Sequence, residues 1–270
     1  MKPYISILLP SRSKKASGSA VLTKFLDNIK NTVDDVNNIE ILIKIDPDDV
    51  QHREALVSYK SIFPNFKVYI TPRLQGYRSG GEFFNYLASN ATGELLCIWS
   101  DDLEITTVHW DTILHKYVDR TTWILFPSHE GNGGNLSPIL HRRLYELVGH
   151  VGHYPLDWFW DMIAGGFPIY IHVPIQVNHV GGNPASYMED GTDVHQPAFT
   201  LDGNEVCRIR DILTRERNGP VASPTNPQEI KTSPGLIFLL IIAGKTSSNE
   251  PVKTSIFIIP SFLKFSFAIS

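Results

Sequence analysis

Gly93-Glu94-Leu95-Leu96-Cys97-Ile98-Trp99-Ser100-Asp101-Asp102-Leu103-Glu104-Ile105 is the stretch that decides the fold class. Leu95 to Trp99 is an unbroken apolar run of strand length, opened by Gly93 and closed by Ser100 and two aspartates. A strand apolar on both faces suits the interior of a parallel sheet. In open α/β sheets, ligands bind just outside the carboxyl ends of the strands. Adjacent carboxylates at such an end repel each other unless water or a cation offsets them. Asp101 and Asp102 are therefore a solvated acidic turn, a helix N-cap or part of a site.

Upstream, the same pattern recurs. Tyr4 to Leu9 reads as a strand broken by Pro10-Ser11-Arg12-Ser13, and Ala20 to Ile29 has helical spacing through Val21, Leu22, Phe25, Leu26 and Ile29. Ile39 to Ile45 is a second apolar strand that opens into Asp46-Pro47-Asp48-Asp49. A helix over Gln51 to Ile62, a strand over Phe66 to Ile70 and a helix over Glu82 to Ser89 follow, with Gly93 expected to stop the last helix. Downstream, helical spacing over Val108 to Val118 precedes short strands at Trp123 to Phe126 and Leu136 to Leu140. A short helix over Arg142 to Val148 ends at Gly149. Asp157 and Asp161 stand four residues apart in a helical stretch, so they share a face. Ile169 to Val177 is the last clear strand, followed by Asn178 and His179. Strands alternating with helices indicate an α/β fold: a doubly wound, mostly parallel central sheet flanked by helices, with right-handed crossovers.

The main domain is expected over 1–217, a linker over 218–234 where Pro, Asn, Ser and Thr dominate, and an apolar tail over 235–270. The tail's apolar runs, near Gly235 to Gly244 and Ser255 to Ile269, are shorter than the ~20 residues of a spanning helix, and it carries Lys245, Lys253 and Lys264. A peripheral membrane or partner contact, a β-hairpin completing the fold and a poorly ordered end all remain open. A net charge of -4 gives no basic field for nucleic acid. Two cysteines make neither a disulfide framework nor a zinc site, and the proline-broken N-terminus is a poor signal peptide. A cytoplasmic protein is expected, peripheral at a membrane if the tail makes that contact.

Four segments, in order, carry a resemblance: Ile7-Leu8-Leu9-Pro10-Ser11-Arg12, Lys44-Ile45-Asp46-Pro47-Asp48-Asp49, Gly76-Tyr77-Arg78-Ser79-Gly80-Gly81, and Gly93 to Asp102. Over about residues 3 to 182 the chain resembles the GT-A fold glycosyltransferases, the family 2-like group of nucleotide-diphospho-sugar transferases. It departs from them where the family's Asp-x-Asp appears as Ser100-Asp101-Asp102. The resemblance implies transfer of a sugar, with inversion, from a UDP- or GDP-sugar donor to a glycan or lipid-linked acceptor. It implies a Mn²⁺ or Mg²⁺ ion, because hard cations that bridge phosphates choose carboxylate oxygens.

On that resemblance, Asp102 is the expected metal ligand and His179 a second, an imidazole suiting Mn²⁺ better than Mg²⁺. Asp101 is expected at the ribose or nucleotide; Pro10, Ser11, Arg12 and Asp46 surround base and ribose, and Arg78 meets phosphate. Asp157 is placed as the base that deprotonates the acceptor, with Asp161 next in rank. Each has a structural alternative: Asp49 or Asp157 as a helix cap, Trp158 and Trp160 as core, His150 and His153 as loop residues, His179 likewise. Two other functions fit the same fold. A nucleotide- or carbohydrate-binding module without chemistry is favoured by the missing first aspartate. A sugar nucleotidyltransferase needs a Gly-rich first loop, and here only Gly18 follows Ser11-Arg12-Ser13-Lys14-Lys15.

Overall fold

The computed structural model describes residues 2–13, 17–74, 79–129, 137–153, 156–165, 170–180, 203–218, 238–240 and 257–259. The chain divides into two compact units, Met1–Val221 and Ala222–Ser270. In the first, strands β1 (Ile5–Pro10), β2 (Ile39–Ile45), β3 (Phe66–Ile70), β4 (Leu95–Ile98), β5 (Leu103–Ile105), β6 (Ile124–His129), β7 (Ile139–His141) and β8 (Tyr170–His179) form one sheet. Its order is β3-β2-β1-β4-β7-β6-β8-β5. The first four strands run parallel, as does the β6/β8 pair; β7 is antiparallel to both neighbours, and β5 is antiparallel to β8. The sheet is thus mostly parallel but mixed. Within the second unit, β9 (Phe238–Leu240) pairs antiparallel with β10 (Phe257–Ile259).

Period-two alternation divides each central strand between two helical layers. Ile5, Ile7 and Leu9 of β1 and Ile39, Ile41, Ile43 and Ile45 of β2 meet Leu22, Phe25 and Ile29 of α1 (Ala20–Thr32) and Trp110 and Leu114 of α4 (Trp110–His115). The opposite face, with Leu8, Leu42, Leu96 and Ile98, packs on α3 (Ser79–Asn90), α5 (Arg142–Val148), α6 (Leu156–Ala164) and α7 (Gly203–Asn218). The expected helix over Gln51 to Ile62 is shorter: α2 (Val50–Ala55) gives way to a 3₁₀ turn at Ser58–Ser61. Strand β5 and helix α7 have no counterpart in the sequence reading.

Glu40 and Lys44 share the parity of Leu42 and lie buried on the α3 face of β2. Glu40 accepts bonds from Ser6 Oγ at 2.7 Å, Thr92 N–H at 2.7 Å and Lys67 Nζ at 2.6 Å. Gly93 N–H donates to the same Ser6 Oγ at 2.8 Å. Gly93 therefore serves the sheet rather than the helix stop expected of it, since α3 already ends at Asn90. A Cβ there would stand 2.7 Å from Ile5 C, Ser6 N and Ser6 Oγ, two of them backbone atoms of β1. Gly93→Ala is expected to cost about 2 kcal/mol through this overpacking, read as a lower urea midpoint with an unchanged m-value.

Candidate functional site

The carboxyl ends of β1, β2 and β4 lie side by side because those strands are parallel neighbours. Past Pro10, the last residue of β1, Ser11 N–H donates to Lys44 O at 2.9 Å and holds the loop against β2. Ser11 Oγ donates to the Asp101 carboxylate beyond β4. The first loop and the acidic turn are thereby joined.

Asp46, at the end of β2, is 1% exposed and meets three cations. Arg12 Nε donates at 2.8 Å, Arg73 Nε at 2.9 Å, and Lys44 Nζ bonds the other oxygen. Burial would raise the Asp46 pKa, but the Lys44 ammonium and then Arg12 outweigh it and hold the carboxyl below the ordinary range. Burial lowers the Lys44 pKa against the pull of Asp46, and Lys44 Nζ also lies 3.7 Å from the Phe83 ring centroid on α3. Arg73 spans to Asp48, with Nη2 at 3.1 Å from each oxygen. Asp49 is the helix cap: it accepts from His52 N–H at 3.1 Å and from Ser13 N–H at 2.8 Å.

The other aspartate of the turn faces elsewhere. Leu103 of β5 pairs with His179 of β8, and Val180 N–H donates to Asp102 O at 2.9 Å. This register sets His179 Nε2 3.3 Å from Asp102 Oδ1, with the imidazole 41% and the carboxylate 14% exposed. Asn28 of α1 fixes β5 through both amide atoms, accepting from Ile105 N–H at 2.8 Å and donating to Ile105 O at 3.0 Å. One carboxylate and one imidazole on adjacent strands suit a borderline-hard divalent cation. Among the described residues, no group of three or more His, Cys, Asp or Glu side chains is arranged to hold a metal ion. The donor pair fits such an ion if further oxygens come from elsewhere.

Asp157 lies in the first turn of α6 and Asp161 one turn later. Asp161 is partly buried; the Asp157 and Trp158 side chains lie outside the described residues, as does Arg78. Trp160 belongs to the core, fully buried, with Nε1–H donating to Val151 O at 2.6 Å. His150 is no free loop histidine: its Nε2 lies 2.9 Å from Glu205 Oε1 on α7. The loop before α6 is also held by Asn85 of α3, which accepts from Val151 N–H at 2.7 Å and donates to Gly152 O at 3.2 Å.

Lys44 and Arg73 escaped the sequence reading. Lys44 precedes Asp46 by two on one strand, which puts both side chains on one face. Arg73 follows the Thr71-Pro72 that closes β3, at the same sheet edge. Both positions were signals available without a structure.

No protein family matches this chain, and no curated protein matches it in sequence. Solved structures do match. S. aureus TarS 1-349, solved in complex with UDP, has a TM-score of 0.51 at 14% identity, covering 66% of this chain and 60% of that one. The mannosyltransferase PcManGT from Pyrobaculum calidifontis, in complex with GDP-Man and Mn²⁺, has a TM-score of 0.51 at 14% identity, covering 80% of this chain and 69% of that one. The fold is GT-A. This chain spans less than two thirds of TarS 1-349, the share being 48% in another of its structures. In GT-A terms, β1 and β4 flank the point where strand order reverses, and the Ser11–Asp101 hydrogen bond crosses it.

Because the Asp46 pKa is lowered on folding, its charge stabilises the fold at pH above the unfolded value of about 3.9 and that contribution is lost as pH falls through the lower folded value. Urea titrations of Asp46→Asn are therefore expected to show a shallower loss of stability below about pH 4 than wild type. The residual slope belongs to Glu40, Asp49, Glu94 and Glu205, whose carboxyls are also held low. Equal slopes would mean that Asp46 does not carry this charge.

Proposed function

We propose that the protein is a metal-dependent, inverting glycosyltransferase that moves a sugar from a UDP- or GDP-sugar to a glycan or lipid-linked acceptor. The observation that carries the reading is the gathering of Asp46, just past β2, and Asp101 and Asp102, in the turn past β4, at the carboxyl ends of the strands beside the β1–β4 switch point, with Asp102 next to His179. The donor classes follow those of the matched folds, UDP in one and GDP-Man with Mn²⁺ in the other.

In this reading Ser11 and Asp101 form the ribose side of the nucleotide pocket, with Pro10 closing it. Asp46 acts through its cations, holding Arg12 and Arg73 as planar donors toward the nucleotide. Asp102 and His179 would hold the divalent cation, Mn²⁺ suiting the imidazole better than Mg²⁺. When bound, the cation offsets the charge that grows on the departing diphosphate. Arg78 adds a phosphate contact from the loop before α3. Asp157 accepts the proton of the acceptor hydroxyl from the side opposite the diphosphate, and Asp161 is the alternative base. Residues 1–217 form the transferase, 218–234 a linker, and 235–270 a tail whose lysines would meet an anionic membrane surface. Among the described residues, no helix is long and apolar enough to cross a membrane.

Ser100 favours a second reading, a nucleotide-binding module without turnover, since it withdraws one carboxylate from the turn. One series separates the two. Thermal unfolding with UDP and GDP, each with and without Mn²⁺, is expected to show metal-dependent stabilisation by one of them, lost in Asp102→Ala. A nucleotide-sugar panel is then expected to show turnover that falls by at least about 100-fold in Asp157→Asn. Stabilisation without turnover on any donor leaves the binding module, and stabilisation that survives Asp102→Ala removes that residue from the metal.

A further inference from the structure

Helix α7 is strongly polar, yet Ile209 and Leu213, four apart, are fully buried, with Val206 partly so. So narrow an apolar stripe docks a helix without fixing its position along the neighbours it covers. That position is set by charge. Arg208 and Arg210 flank Ile209 and, at about 100° per residue, point to opposite sides of the stripe. Arg208 Nη2 donates to Val148 O, the last residue of α5, at 3.0 Å. Arg210 reaches the other way and donates to Met162 O at 3.0 Å, Ile163 O at 3.3 Å and Gly165 O at 2.6 Å. These carbonyls belong to the end of α6, where the helix leaves acceptors unsatisfied and its dipole is negative.

The amino end of α6 is held from the same helix. Glu205 of α7 binds His150 Nε2 at 2.9 Å and Arg208 Nε and Nη2 at 2.8 Å each. Arg208 chiefly, with His150 and against burial, lowers the Glu205 pKa to about 2, so this carboxylate is ionised at neutral pH. His150 Nδ1 in turn accepts from Gly152 N–H at 3.0 Å. Gly152, at φ +113°, packs so closely on Phe159 of α6 that a Cβ would lie 2.8 Å from its ring. Glu205 thus steers the loop into α6, and Arg210 stops its far end.

We infer that α7 is a brace that sets the position of α6, and that Arg210 is a positioning residue for the carboxylates α6 carries. The inference rests on the reading that α6 bears the base of a glycosyl transfer. Apolar packing tolerates small sliding of a helix, whereas three hydrogen bonds from one rigid guanidinium do not. A misplacement of about 1 Å at a reacting group lowers turnover by about 100-fold, so the effect belongs to kcat and not to donor binding.

The test uses the full chain with Arg210→Ala and Arg210→Lys. Hydrogen exchange is expected to quicken by about tenfold in residues 159–165 of Arg210→Ala while β1 and β2 stay protected. With the donor that wild type turns over, kcat is expected to fall with the donor KM unchanged, and Arg210→Lys to recover part of it. Unchanged exchange in α6, or a fall in kcat matched by a rise in donor KM, overturns the inference. Should Arg210→Ala not fold, Arg210→Lys carries both measurements with the same criteria. If wild type turns over no nucleotide sugar, the glycosyltransferase reading fails and exchange alone decides the brace.

Discussion

Strand β1 is hydrogen-bonded on both sides, and the chain leaves it first toward β2 and β3, then returns on its other side at β4. The crossovers on the two sides diverge, so a topological switch point, and with it a gap between connections, falls at the carboxyl ends of β1 and β4. Everything that follows depends on that gap. The loop after β1 leans on β2 through Ser11 N–H to Lys44 O, and the bond from Ser11 to Asp101 bridges the gap. The amino end of the same strand has the opposite character. There Gly93 lies against β1 so tightly that no side chain fits, and Glu40 is held by a buried bond from Ser6 and a part-buried one from Lys67. One end of β1 is closed and rigid, the other open and polar.

The carboxylates at the open end are not equivalent. Asp46 is deeply buried and surrounded by Lys44, Arg12 and Arg73, an arrangement in which a charge removed from water is offset by hydrogen-bonded cations. Its role is to organise guanidinium groups. Asp102 sits nearer solvent and pairs with the half-exposed imidazole of His179. The adjacent pair Asp101-Asp102 escapes mutual repulsion by division of labour: one accepts from a hydroxyl across the switch point, the other turns toward β8.

The strand-and-acid rhythm made the half of the molecule built on β1 to β4 legible, because a buried parallel strand is largely apolar on both faces and must end where polarity begins. The register β2 spans, Ile39–Ile45, matches the apolar run residue for residue. Strand β5 was not legible: three residues immediately past an acidic turn carry no periodicity. Its existence depends on Asn28 and on β8, which are distant in sequence. The reversal of β7 was hidden for a related reason, since strand direction follows from connections and not from local composition. Helix α7 was missed because its apolar stripe is narrow and its docking is done by Arg208 and Arg210, whose carbonyl partners no sequence pattern announces. Lys44 and Arg73 were readable by parity and by position after a strand, but as cations near an acidic turn they looked like ordinary surface charge.

These differences follow one physical division. The side of the sheet that carries Asp46 and Asp101 is assembled from strand ends, whose positions are fixed by backbone ladders, and residues two apart on a strand necessarily share its face. The side that α6 occupies is assembled from helix ends and a short loop, fixed by side chains reaching across layers: Asn85 from α3, Glu205 and Arg210 from α7. Ladder geometry is common to every sheet of this topology and leaves a motif in the sequence. Side-chain clasps can be built in many ways on one fold and leave none. Ser100 belongs to the first kind of position, at the ladder's end, where a missing carboxylate removes a possible ligand without disturbing the register that brings Asp102 to His179.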